Sequence, residues 1–133
     1  MGNTLVELNV KELKIVNEDK SLLVSGETNL PDNVNLIYDL SPKDEKYDID
    51  IYEGNIAVED NKFSIELDIS KFKKGMKLNV WVAFAPLRYR NDQLEETYER
   101  YGEYGSKITS ERFVWSTPDG LVKNVGIEKQ IEL

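Results

Sequence analysis

The chain contains no cysteine and no histidine. Those two absences remove Cys–His nucleophiles, the Ser-His-Asp triad, structural zinc and most transition-metal sites together. With no thiol, no disulfide marks a redox compartment, so cytosol and exterior both stay open. No apolar run approaches the roughly 18 residues that a membrane span requires. The opening "MGNTLVEL" has no secretory pattern, which leaves open a targeting segment lying upstream of it. Positive charge is also scarce, with 17 Lys and Arg against 25 Asp and Glu and a net charge of −8. Phosphate binding depends on clustered cations. Here the lysines are scattered, Lys71, Lys73 and Lys74 being the nearest to a cluster, so nucleic acid is not an expected partner.

What is present suits one folded domain over residues 1–133, with 40% hydrophobic and 32% charged residues. The dominant period is two. In "KFSIELDIS", Phe63, Ile65, Leu67 and Ile69 alternate with Ser64, Glu66 and Asp68, which describes a strand with one dry face. The tail repeats the pattern through Leu121, Val125, Ile127, Ile131 and Leu133, interrupted by Lys123 and Lys129. Near the start, Val6, Leu8 and Val10 share one parity and Leu13 and Ile15 the other, so a bulge near Lys11–Glu12 is expected. "KLNVWVAFAP" is apolar on both parities, as in a central strand covered from two sides. Further strands are expected at Ser21–Leu30, Val34–Leu40, Ile49–Val58 and Ser110–Ser116, separated by turn sequences such as "NEDK", "EDNK" and "TPDG". The fold class that follows is mainly β: an antiparallel, immunoglobulin-like β-sandwich of seven or eight strands.

One segment departs from that period. In "NDQLEETYERYGEYG", Leu94, Tyr98 and Tyr101 recur at helical spacing, so one short helix is inserted near 91–102. Asn91 or Asp92 is the expected cap and Gly102 the exit, with about three turns acting as a crossover between sheets.

"SGETNLPDNVNL", Ser25 to Leu36, reads as a hairpin corner between two strands, with a ligand loop as the other reading. Pro31 suits the second position of a turn, and Asn33 tolerates a left-handed backbone. Leu22, Val24 and Leu30 would face the core before the corner, and Val34, Leu36 and Tyr38 after it. "VSGETNLPDNVNLIYDL" also resembles a recurring segment, G-x-T-N-L-P-D-(G/N)-(T/V)-x-L, of uncharacterised lipoprotein-type extracytoplasmic domains of Gram-positive bacteria. Those domains are immunoglobulin-like or transthyretin-like β-sandwiches. The resemblance covers about a dozen residues. It implies cell-surface location and attachment through a lipidated Cys upstream of this segment, and it carries no catalytic residues over.

Several constellations bear on chemistry. "SKFK", Ser70 to Lys73, matches Ser-x-x-Lys of penicillin-binding enzymes, but the companion Ser-Asp-Asn and Lys-Thr-Gly motifs are missing. "SPKDEKYDIDIYEG" gathers carboxylates suited to calcium; Asp48, Asp50 and Glu53 are weak metal candidates, and without the EF-hand order a solvated strand face is the favoured reading. Aromatic rings with polar tips serve recognition surfaces and can stack on sugars or protein partners. Trp81, Tyr98, Tyr101, Tyr104, Phe113 and Trp115 crowd the second half of the chain. Arg88, Tyr89 and Arg90, in a loop before the helix, together with Tyr98, Tyr101 and Trp115, form the candidate ligand-binding set. For the tyrosines and tryptophans the favoured reading is that Tyr98 and Tyr101 dock the helix, with Trp81 and Trp115 beneath it. The expected function is a non-catalytic cell-surface binding or spacer domain, extracytoplasmic and cofactor-free, contacting a protein or cell-wall glycan. A carbohydrate-binding domain and an intracellular protein-interaction module are the alternatives.

Overall fold

The computed structural model describes residues 5–43, 52–87, 93–109, 114–116 and 123–133. Eight strands occur in chain order: β1 Leu8–Val16, β2 Ser21–Thr28, β3 Asn35–Pro42, β4 Tyr52–Ala57, β5 Lys62–Asp68, β6 Lys77–Phe84, β7 Val114–Ser116 and β8 Lys123–Glu132. One helix, α1, covers Glu95–Tyr101. The strands build two antiparallel sheets, one of order β1-β2-β5 and one of order β4-β3-β6-β8-β7. β1 lies against β8 and β5 against β4, so the smaller sheet is layered over the larger. Three strands in the order first-second-fifth, facing fourth-third-sixth and the chain's last strand, is the immunoglobulin-like pairing, with α1 and β7 inserted before β8.

Alternation places the core. Leu22 and Val24 of β2, Phe63 and Leu67 of β5, Leu36 and Leu40 of β3, Val80 and Val82 of β6 and Ile127 of β8 are buried between the sheets. Tyr38, on the same parity, is half-buried and packs against that core. The β1–β2 register shifts between Val10 and Glu12, the bulge that the parity change required. Lys129 stands opposite Val80 in register yet is exposed, and a charge at such a position discourages edge pairing with another chain.

The corner 28–34 is not a hairpin, because β2 and β3 belong to different sheets; it crosses between them and is held by its own polar groups. Thr28 Oγ1 donates to Glu7 O at 2.7 Å and accepts the Leu30 N–H at 3.3 Å. The Asn29 carboxamide clasps the entering chain twice, accepting Glu7 N–H at 2.9 Å and donating to Leu5 O at 2.7 Å. Asp32 Oδ1 accepts the Asp60 N–H at 2.8 Å, fixing the next reversal, where Asp60 and Asn61 both have positive φ as a two-residue hairpin turn demands. Pro31 opens its turn rather than taking the second position: the Val34 N–H returns to Pro31 O at 3.4 Å, and Asn33 supplies the left-handed residue at φ 70°. Gly26 has no room for a side chain, since a Cβ there would lie 2.1 Å from Asn9 O and 2.5 Å from the Phe63 ring.

The helix closes the end of the sandwich where β6 ends and β3 begins. It has two turns, not three, and Leu94 is its N-cap with no side-chain hydrogen bond. Asn91 and Asp92, the expected caps, lie outside the described residues. Gly102, at φ 91°, terminates it and donates its N–H to Tyr98 O at 2.8 Å. Because β6 and β7 belong to the same sheet, α1 is not a crossover between sheets. Gln93 explains its docking: the carboxamide accepts Asn35 N–H at 2.8 Å and donates to Asn35 O at 2.7 Å. One side-chain amide thus pairs both backbone groups of a strand residue. Tyr101 meets Phe84 edge to face, centroids 4.9 Å apart at 77°.

Candidate functional site

Of the expected ligand-binding set, only the side chains of Tyr98 and Tyr101 are described, and neither is open to a ligand. Tyr98 and Tyr101 are each 2% exposed, and the Tyr98 hydroxyl accepts the Gln93 N–H at 3.2 Å. These rings dock the helix because their apolar bodies fill the end of the core, and no ring face is left for a ligand. The residue beneath Tyr101 is Phe84, not Trp81. Trp115 is placed only by its backbone, opposite Asn124. Arg88, Tyr89 and Arg90 lie outside the described residues, as do Asp48 and Asp50. Of the acidic candidates Glu53 is described, and it stands exposed on β4. Among the described residues no three acidic side chains are grouped to hold a metal ion.

The Ser-x-x-Lys residues sit in a turn, where Phe72 N–H bonds Ile69 O at 3.0 Å. The Ser70 N–H donates to Asp68 Oδ1 at 2.9 Å. The Ser70 hydroxyl bonds the same carboxylate, and together these bonds hold Asp68 below the usual carboxylate range. Ser70 is therefore a capping residue for the end of β5.

A different surface gathers functional groups. The outer face of the five-stranded sheet carries a trough of about 660 Å³. Its floor is a single row running across four strands. Glu53 on β4 faces Asp39 on β3, Asp39 faces Trp81 on β6, and Trp81 faces Glu128 on β8. Adjacent strands lie about 4.8 Å apart, so this row spans about 14 Å. One register step away, Ser41 faces Asn79; on the other side, Asn55 faces Ile37. All of these residues line the trough. They reach it for one reason: each occupies the parity opposite to Leu36, Leu40, Val80, Val82 and Ile127, which face the core.

Four physical features mark this face. Asp39 and Glu53 are like charges directly opposite one another, an arrangement that destabilises a strand pair. Asp39 is pushed above the usual Asp range, chiefly by its burial and further by the charge of Glu53. Trp81 is only partly buried although it lies at the centre of the sheet. Finally, Asn79 Oδ1, like Asn124 Oδ1 on β8 beyond the trough, is shut away from solvent with no hydrogen-bond partner among the described residues, a condition that ordinarily costs about 1–3 kcal/mol. None of the described lining residues is basic. Lys43, at the end of β3, donates instead to Gln130 Oε1 at 3.2 Å.

Sequence reasoning singled out Trp81 and Glu53 separately and missed Asp39, Asn79 and Glu128. The alternation does place Asp39 and Glu128 on outward parity. Nothing local shows that strands so far apart in sequence lie side by side. No family model matches the chain, and no curated protein matches it. The trough must therefore be read from its own chemistry.

Proposed function

We propose that this chain is a non-catalytic binding domain displayed on the exterior of a Gram-positive bacterial cell, and that its ligand lies in the trough on the outer face of the five-stranded sheet. The observation that carries the reading is the row Glu53–Asp39–Trp81–Glu128, a partly exposed indole between carboxylates beside an unsatisfied carboxamide. A sheet face that serves only as a wall has no need to keep like charges opposed or a buried acceptor unbonded; binding sites often do, because the ligand completes them. The lack of His and Cys and the filled interior support a role without catalysis. The resemblance of Ser25–Leu36 to lipoprotein-type domains supports the exterior location.

Trp81 favours a carbohydrate among the ligands considered, since an indole offers a flat apolar face for a sugar ring while side-chain carboxylates and amides hydrogen-bond its substituents. The test is a cell-wall glycan panel read by calorimetry with the wild type and Trp81→Ala. Binding that disappears in the variant, with the melting temperature shifted by only a few degrees, supports the trough. A ligand bound equally by both proteins removes it. For the location, the full-length gene product is expected to carry an export signal and a lipid-attachment Cys upstream; their absence there would overturn the surface assignment.

A further inference from the structure

We infer that the trough takes an organic cation, a ligand bearing a protonated amine seated over the Trp81 indole between Asp39 and Glu128. This inference rests on the trough being the binding site and adds the charge of what it binds. Three carboxylates, those of Glu53, Asp39 and Glu128, line the trough, and none of its described lining residues is basic. An uncharged ligand would leave the opposed Asp39 and Glu53 unrelieved. A cation between the row's carboxylates lowers that repulsion, and an ammonium above an indole gains a further attraction from the ring's negative face.

The hydrogen-bonding inventory agrees. Ionised carboxylates only accept, and the unsatisfied atom of Asn79 is also an acceptor, the amide oxygen. Among the described residues these acceptors have no donor facing them, and an ammonium supplies three donors and no acceptor. A metal ion is a poorer match. The row interposes Trp81 between Asp39 and Glu128, so its third carboxylate is a full strand removed from the other two, and among the described residues no metal-holding group forms.

An amine of this kind can be carried by an amino sugar or by an aliphatic polyamine, and the probes separate the two. Calorimetric titrations of the full chain at pH 7 would use deacetylated chitotriose, its fully N-acetylated counterpart and spermidine. The variants are Trp81→Ala and the double substitution Asp39→Asn with Glu128→Gln, which keeps size and removes charge. At least one amine is expected to bind, about tenfold more weakly in the charge-neutral variant, not detectably in Trp81→Ala, and more weakly in high salt. Binding of deacetylated chitotriose alone assigns the amine to a sugar; binding of spermidine alone assigns it to a polyamine. If the N-acetylated sugar binds as well as the amine and the charge-neutral variant binds unchanged, the cation inference is overturned while the trough remains the site. If no amine binds at millimolar concentration, the inference is overturned as well, and the glycan panel then decides the trough by itself.

Discussion

Two polar regions of the molecule, the corner at Thr28–Val34 and the trough around Trp81, use the same kinds of side chain to opposite ends. At the corner every polar group singled out has a partner inside the chain: Thr28 and Asn29 bond the strand entering β1, Asp32 bonds the neighbouring hairpin, and Asn33 N–H bonds Val58 O at 2.9 Å. In the trough, Asp39 faces a like charge and the Asn79 oxygen faces nothing that donates to it among the described residues. Satisfied polar groups hold a fold together, whereas unsatisfied ones wait for something from outside. The two shifted carboxylates repeat the contrast. Asp68 is moved down by hydrogen bonds from Ser70, and Asp39 is moved up by burial and Glu53.

Substitutions can break or sharpen this contrast. The largest effect belongs to the corner's core anchor: Leu30→Ala, at a position with 0% exposure, is expected to lower the unfolding free energy by about 2–5 kcal/mol in urea titrations. An unchanged midpoint would show that the corner does not anchor the core. Gly26→Ala should cost about 1–3 kcal/mol, because its Cβ meets backbone oxygen rather than a movable side-chain tip. Thr28→Val removes a buried hydroxyl that bonds twice, for an expected loss of about 1–2 kcal/mol with ligand affinity unaltered. Trp81→Ala reverses that pattern in binding, which is abolished, while stability falls by about 1–2 kcal/mol for a side chain that is not fully buried. Calorimetry on both variants with one ligand checks the pair, and a stability loss in Trp81→Ala matching that of Leu30→Ala would erase the distinction.

The smallest effect concerns Asp39. Its folded-state pKa is raised, so the native state holds the proton more tightly than the unfolded chain, and the charged form opposes folding once the pH exceeds that pKa. Asp39→Asn is therefore expected to stabilise the protein by a few tenths of a kcal/mol at pH 7, on the order of a cross-strand like-charge pair. That advantage shrinks as the pH falls through the raised pKa and is gone below the ordinary Asp range. Asp68 acts in the other direction, giving stability above its unfolded pKa that is lost as the pH falls through its lowered folded value. Thermal melts of Asp39→Asn and Asp68→Asn against pH should diverge from the wild type in these opposite senses.

Local periodicity made much of the architecture legible. Alternation in Phe63–Ile69 marked a strand and its buried parity, the two apolar parities of Leu78–Phe84 marked a central strand but hid its open outer face at Trp81, and the parity change between Val10 and Leu13 marked the bulge. The turn chemistry of Asp32–Asn33 and Asp60–Asn61 likewise followed from the residues. What stayed hidden depends on contacts distant in sequence. Gln93 pairing with the Asn35 backbone made the helix an end cap. The docking of Tyr98 and Tyr101 was legible from their helical spacing, but the residue under Tyr101, Phe84 rather than Trp81, was not. The trough was least visible because Glu53, Asp39, Trp81 and Glu128 meet only through the strand order β4-β3-β6-β8. Each alone is an ordinary outward residue on a strand.

The most direct test is a two-dimensional amide spectrum of the uniformly labelled chain, recorded while the best ligand from the glycan and amine panels is added. Shifts concentrated at Asp39, Asn79, Trp81 and Glu128, with Thr28 to Asn33 unmoved, are the expected result. Shifts centred on Thr28–Asn33 while the four trough residues stay in place would contradict the assignment of one region to folding and the other to binding.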